Sequence, residues 1–299
     1  MRYATATAFR RALETRLLDN SRSSGLPLAR LRRMVVFERL LARLLTAAPS
    51  RWILKGGLAL EYRLGSRART TKDMDLGRYD DEVATTADLR TAQTLDLEDF
   101  FVFRIERTGQ LDAALGGAAV RYRVSAELAG RPFETVTLDA GFGPPGRSAP
   151  ETINTSDLLL FAGIEPLVVP VLPLAEHVAE KVHAYTRSYG VEGMASTRVK
   201  DLVDLVLICT GESPEAGTLR RALRETFAAR TTHPLPTVLP PPPALWTVPY
   251  AKMASEVDIE ENVGAAHRTS ARFLDPVLSG VISDAAVWDL ATQTWTVLA

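Results

Sequence analysis

Apolar residues recur at helical spacing over residues 7–18 and again over residues 28–45, where Leu31, Val35, Leu40, Leu41 and Leu44 share a stripe. Gly25-Leu26-Pro27 separates the two stretches, so the pattern predicts a pair of amphipathic helices. The short apolar run Trp52-Ile53-Leu54 enters Lys55-Gly56-Gly57 and a further helical stretch, residues 58–64, which Gly65-Ser66 ends. Beyond that break the period changes: Asp73-Met74-Asp75-Leu76 alternates polar with apolar, as a strand does. A helix is expected between residues 83 and 97, and strands over residues 100–107, 120–128 and 133–141. The last two strands are joined by Ala129-Gly130-Arg131-Pro132, a short turn that suits an antiparallel hairpin. Helical periodicity returns over residues 174–189, 199–210 and 251–278, and the proline-rich stretch 233–243 reads as an extended linker or a strap. Helices, a mixed sheet and helices again make an α+β protein, with an N-terminal sheet lobe over residues 1–150 and a mainly helical lobe over residues 151–299.

Composition narrows the setting. Cys209 is the single cysteine of 299 residues, which excludes an intramolecular disulfide and a Cys/His zinc cluster and favours a reducing cytoplasm. The longest apolar stretch, residues 158–175, is interrupted by Glu165, Pro166, Pro170 and Pro173, unlike a membrane helix of about 20 apolar residues. No apolar signal core opens the chain, so a soluble cytoplasmic protein with no membrane partner is expected. Its net charge of −1 conceals an asymmetry, because residues 1–72 carry 16 Lys and Arg against four acidic residues. A leading segment of +12 suggests attraction to a polyanion, unless it is an arginine-rich solvated helix surface. Arginine outnumbers lysine 30 to five, so Lys55, Lys72, Lys181, Lys200 and Lys252 are candidates for sites that need a compact, tunable amine.

The chemistry centres on Asp73 and Asp75. Strand residues two apart leave the same face, and two carboxylates so placed repel unless a cation or water lies between them. A hard divalent cation such as Mg²⁺, with Mn²⁺ as an alternative, takes one or two carboxylates plus substrate phosphates. Asp139, on the hairpin strand, would complete a three-carboxylate metal site if that strand lay beside the first. Gly65-Ser66 and the loop through Arg67, Arg69, Thr70, Thr71 and Lys72 offer N–H groups, hydroxyls and cations to a triphosphate. Lys55-Gly56-Gly57 likewise permits close anion approach at a helix N-terminus. No Walker A loop is present.

The string WILKGGLALEYRLGSRARTTKDMDL resembles the AbiEii/AbiGii nucleotidyltransferase toxin family, a branch of the polymerase-β-like superfamily that includes mycobacterial tRNA-modifying toxins. The resemblance rests on Gly65, Ser66, Arg69, Thr71, Asp73 and Asp75 as a first motif, on the preceding Leu54 to Gly57, and on Asp139 as a strand aspartate. Glu180-Lys181-Val182-His183-Ala184 and Arg198-Val199-Lys200-Asp201-Leu202-Val203-Asp204-Leu205 are similar to the family's later motifs. It implies a polymerase-β-like nucleotidyltransferase fold and an NTP-dependent toxin of a toxin–antitoxin system. The implied acceptor is a tRNA 3′ end, and the implied partner is a cognate antitoxin. Asp201 and Asp204 then belong to the active site.

Lys181 stands at the edge of an apolar helix face, so its amine must snorkel out or find an anion, and a phosphate is the expected one. Asp201 suits the helix dipole, and Lys200 with Asp204 has the spacing of an ordinary i, i+4 pair. The expected reaction is attack of an acceptor hydroxyl on the α-phosphate of an NTP with loss of pyrophosphate. Asp73 and Asp75 hold the metal, Lys181, Ser66, Lys55 and Lys200 meet phosphates, and Asp139 or Asp204 orients or deprotonates the hydroxyl. Phosphorylation of Thr71 would oppose both triphosphate and carboxylates. Cys209, Trp246 and Tyr250 read as core, and no histidine is assigned a role. Two alternatives stand beside this reading: a nucleotidyltransferase that modifies a protein or small molecule, and a non-catalytic RNA- or partner-binding protein.

Overall fold

In the computed structural model, which describes residues 1–111, 119–143, 146–188 and 198–297, the leading periodicity becomes α1 (Ala6–Ser24) and α2 (Leu28–Ala47). Thr5 caps α1 by accepting from the Ala8 N–H, and Gly25 ends it at φ +74°, a left-handed conformation that glycine takes without steric cost. The chain divides into two units, residues 1–63 with 70–172, and residues 64–69 with 173–299. The boundary thus falls after Leu172 rather than at 150, because β6 (Glu151–Asn154) and β7 (Val168–Val171) pair antiparallel and β7 joins the main sheet.

The first unit is built on a seven-stranded mixed sheet. It contains β1 (Ile53–Lys55), β2 (Asp73–Arg78), β3 (Phe101–Leu111), β4 (Ala119–Leu128) and β5 (Arg131–Phe142), in the order β3-β4-β5-β2-β1-β7-β6. The expected hairpin is β4–β5, and β5 runs parallel to β2 in a register that pairs Asp73 with Thr137 and Asp75 with Asp139. Alternation puts Met74, Leu76, Leu138 and Ala140 in the core, where Phe9 and Leu13 of α1 and Val35, Leu40 and Leu41 of α2 also lie. The remaining helices of this unit are α3 (Gly56–Leu64), whose last residue begins the excursion into the second unit, and α4 (Glu82–Thr94).

Much of the leading positive charge serves this core. Arg30 meets Glu61 at 2.6 Å, Arg39 and Arg43 both meet Asp99 at 2.7 Å, and Arg32 meets Glu14 at 2.6 Å. Arg10 donates to the carbonyls of Leu128, Arg131 and Pro132. These arginines are structural, so the +12 of the sequence overstates the charge available to a polyanion. Another buried group on α2, Glu38, accepts from the Ser156 hydroxyl at 3.2 Å through Oε2, while Oε1 has no hydrogen-bond partner among the described residues. Burial lifts its carboxyl to about 7, against the opposing pull of Arg39 and of the Ser156 and Thr155 hydroxyls. Since the folded chain binds this proton more tightly than the unfolded one, stability falls as pH rises from about 4.5 through 7, by about 3 kcal/mol in all. Glu38→Gln is therefore expected to melt higher than wild type at pH 8 and at the same temperature near pH 4. A parallel pH dependence of the two melting curves would overturn that assignment.

The second unit contains α5 (Leu174–Thr186), α6 (Val199–Cys209), α7 (Ala216–Arg230), α8 (Thr247–Ser255) and α9 (Val263–Leu278), with a terminal hairpin of β8 (Ala286–Asp289) and β9 (Thr294–Val297). The helix expected to reach Tyr189 ends at Thr186, and Tyr189 lies outside the described residues. The single tail helix is two, because Asn262 caps α9 afresh by accepting from the Ala265 N–H. The proline-rich stretch is a strap: Leu239 is buried, its N–H donates to Asp275 at 2.7 Å, and Tyr185 donates to the Pro240 carbonyl at 2.8 Å. Cys209, Trp246 and Tyr250 are fully buried, as a core role requires. No helix among the described residues is long and apolar enough to cross a membrane.

Candidate active site

In the first unit the register of four strands sets up one row of charges. Arg121 of β4 pairs with Asp139 of β5, Asp139 with Asp75 of β2, and Asp75 with Lys55 of β1. Residues paired in register share a face, so the row reads plus, minus, minus, plus across the sheet. Asp73 belongs to the next row, beside Thr137 and then Arg123. Its strand position is pinned from the backbone: the Thr71 hydroxyl donates to the Asp73 carbonyl at 3.1 Å and accepts from the Asp73 N–H at 3.4 Å. Thr71 is itself buried, so a phosphate added there would have to break both bonds.

Asp75 is seated by a glycine. Gly56, the first residue of α3, has φ +65°, and a side-chain carbon on it would fall 1.8 Å from Asp75 Oδ2. The carboxylate occupies the space a side chain would take, at a helix N-terminus whose partial positive charge favours an anion. The anion expected beside Lys55-Gly56-Gly57 is thus the protein's own. Gly56→Ala is expected to displace Asp75 and lower turnover about 100-fold, the scale of an ångström's misplacement in a catalytic group. Steady-state transfer rates check this; near wild-type turnover would overturn it.

Asp139, the third carboxylate of the row, is engaged by arginine in this arrangement. Arg121 donates to both its oxygens, at 2.8 and 2.7 Å, and among the described residues no group of three or more His, Cys, Asp or Glu side chains could hold a metal ion. Arg121 holds its proton more tightly than a free arginine, first through the hydrogen bonds to Asp139 and then through the charges of Asp139, Asp73 and Asp75. Asp73, by contrast, has no ion-pair partner among the described residues. Asp73 and Asp75 remain as two hard oxygen donors side by side, a set that fits Mg²⁺ when phosphates and water supply the other positions. Arg121 is the residue that sequence reasoning missed. Alternation places Arg121 and Arg123 on one face of a strand, but only the register brings them beside the aspartates.

The second unit gathers the later motifs into a buried ion cluster. Lys181 of α5 meets Asp204 at 2.7 Å and Asp201 at 3.1 Å, both on α6. Arg69 clasps both oxygens of Asp204 at 2.8 and 2.9 Å, and Arg198 meets Asp201 at 2.7 Å. Burial alone would raise the Asp204 carboxyl, but Lys181 and Arg69 outweigh it and hold it far below the usual range. Burial pulls Lys181 down, and Asp204 and Asp201 more than restore it. The anion that Lys181 finds here is a pair of carboxylates, and Asp204 turns to Lys181 and Arg69 rather than to Lys200. Lys200 is exposed, as are Gly65 and Ser66 on the short 3₁₀ turn after α3. Arg67 ties that turn down by donating to the carbonyl and hydroxyl of Thr210 at 2.9 and 3.1 Å.

A family model described as nucleotidyl transferase AbiEii toxin, type IV toxin–antitoxin system, matches residues 39–283. Among solved structures, MenT4, a nucleotidyltransferase toxin from Mycobacterium tuberculosis, is similar with a TM-score of 0.56 and 19% identity, over 90% of this chain and 91% of that one. JHP933 from Helicobacter pylori matches with a TM-score of 0.46 and 15% identity, over 83% of this chain and 94% of that one. The likeness to MenT4 is one of fold. No curated protein matches the chain.

Proposed function

The chain belongs to the AbiEii nucleotidyl transferase toxin family, and from that premise we propose that it transfers a nucleotide from an NTP to the 3′ acceptor end of a tRNA, blocking aminoacylation, under the control of a cognate antitoxin. The observation that carries the proposal is the pair of carboxylates on β2: Asp73 without an ion-pair partner among the described residues, Asp75 seated on Gly56. Phosphoryl transfer asks for positioning and charge neutralisation, and little else of the protein.

Asp73 and Asp75 would hold Mg²⁺, which supplies charge neutralisation on the phosphates when bound. Their alternation on β2 fixes both carboxylates toward one face, and the Thr71 bonds to the Asp73 backbone keep that strand end from fraying. Lys55, paired in register with Asp75, places an ammonium beside the carboxylates to take phosphate charge. Asp139 orients the attacking hydroxyl once its hold on Arg121 loosens. In the second unit Gly65 and Ser66 offer an N–H and a hydroxyl to a phosphate, and Lys200 offers an exposed charge. Lys181, Asp201 and Asp204 act through one another and through Arg69, which lies four residues before Asp73 in the chain. With both oxygens of Asp204 engaged, its contribution is to position Arg69 rather than to take a proton.

The test is to incubate the protein with each α-³²P-labelled NTP and a divalent cation, adding total tRNA, a protein lysate or neither. Label is expected on RNA of tRNA length and nowhere after EDTA treatment. Label on protein, or on no acceptor, would overturn the proposal.

A further inference from the structure

The first unit holds a cavity of about 310 Å³ that the catalytic reading does not use. Its lining brings together four cations, Arg33, Lys72, Arg121 and Arg123, with three threonines, Thr135 and Thr137 among them, and no carboxylate. Arg33 stands out against its neighbours on α2, since Arg30, Arg32, Arg39 and Arg43 are all spent on carboxylates. Its own Nε is sealed from solvent and has no hydrogen-bond partner among the described residues. Neither Lys72 nor Arg123 has an ion-pair partner among the described residues, and both are exposed. Cations this close together repel, and a sealed guanidinium N–H without an acceptor costs free energy. A tetrahedral oxyanion relieves both, accepting bidentate bonds from arginine and single bonds from threonine hydroxyls.

The position of the cavity says which anion. Along the parallel strands β2 and β5, Thr135 and Thr137 precede Asp139, and Lys72 precedes Asp73, so the cavity lies before the carboxylates. Lys55 is level with Asp75 in the backbone register, and its ammonium reaches past the carboxylates, with Nζ 3.7 Å from where a side-chain carbon on Gly141 would sit. The aspartates thus stand between two positive regions. In-line displacement needs the same layout, because the attacking hydroxyl and the departing pyrophosphate occupy opposite sides of the reacting phosphorus. The Lys55 side suits the compact, highly charged leaving group. A cavity rimmed by exposed residues suits a polymer that must continue across the surface.

Resting on the reading of the acceptor as RNA, we propose that this cavity binds a backbone phosphate of the acceptor strand, just upstream of its reacting 3′ end. Arg33 and Arg123 are the principal contacts. Arg121 belongs to both the cavity and the Asp139 pair, so a phosphate that draws Arg121 away releases Asp139 toward the other two aspartates.

The experiment measures binding without turnover: fluorescence anisotropy of labelled total tRNA, and equilibrium dialysis of each NTP, for the wild-type protein, Arg33→Gln and Arg123→Gln. Circular dichroism establishes that each variant is folded, and the exposed Arg123 keeps the test open should Arg33→Gln fail to fold. RNA binding is expected to weaken about tenfold in each variant, with the salt dependence shallower by about one in slope and NTP binding unchanged. Unchanged RNA binding, or a loss of NTP binding in its place, overturns the assignment. RNA that fails to bind the wild-type protein overturns the RNA acceptor itself, an outcome visible before any variant is compared.

Discussion

Asp73→Asn is expected to lower nucleotidyl transfer by about 1,000-fold while leaving the melting temperature within a few degrees of wild type. The size follows from what is removed: one of two charges that hold a divalent cation in a site whose catalysis is electrostatic, where losing a single stabilising group costs about 10²–10³ in rate. Stability is spared for reasons visible in the fold. Asparagine keeps the shape, the Thr71 bonds run to the Asp73 backbone and not to its carboxylate, and no described cation loses its partner. Removing one of two neighbouring like charges even relieves repulsion with Asp75. Initial rates with a labelled NTP and tRNA, set beside thermal melts, check both halves. More than a tenth of wild-type turnover in the variant would overturn the assignment of Asp73.

The opposite profile, a loss of stability first, is expected for Lys181→Met. The amine is almost fully buried between Asp201 and Asp204, and its removal leaves two carboxylates in the interior with only Arg69 and Arg198 to answer them. Breaking a buried pair from one side costs about 3–5 kcal/mol, or on the order of 10 °C in melting temperature. The double variant Lys181→Met with Asp204→Asn is expected to recover part of that loss, because the stranded charge goes with its partner. Acid tells the same story. Asp204 is held far below the ordinary carboxylate range, so its contribution is complete at neutral pH and is lost as the pH falls below that range. Denaturant melts of the single and double variants at pH 7 decide the matter, and a loss under 1 kcal/mol in the single variant would exclude a structural role for Lys181.

Patterns local in sequence were legible in advance. The alternation of Asp73-Met74-Asp75-Leu76 marks β2, and the stripe Leu31, Val35, Leu40, Leu41, Leu44 marks α2, because each reports directly which side faces the core. The need of Lys181 for an anion was legible too, since a lysine at the edge of an apolar face has few other options. What escaped depends on distant partners. Arginine on a helix looks the same whether it faces solvent or Asp99, so the leading charge reads as a nucleic-acid surface until Arg39 and Arg43 are seen to be spent inside. The β4–β5 and β2–β5 registers place Arg121 on Asp139 and Asp139 beside Asp75, and no spacing within one strand contains that information. The terminal hairpin escaped because it is held by the packing of Trp288 and Trp295 on Phe273 of α9, not by a long run of alternation.

The excursion of residues 64–69 into the second unit bears on how such a gene can be cut and joined. Arg69 answers Asp204, and β2 begins only four residues later. Division at the 172/173 junction would hand the amino-terminal fragment a guanidinium with no counterion and leave the carboxy-terminal fragment a buried carboxylate without its clasp. Neither half is a transferable module. Domain shuffling at that junction would inherit an incompatible interior charge unless the loop and α6 were exchanged together, so a chimera between relatives must carry residues 64–69 with the helical half.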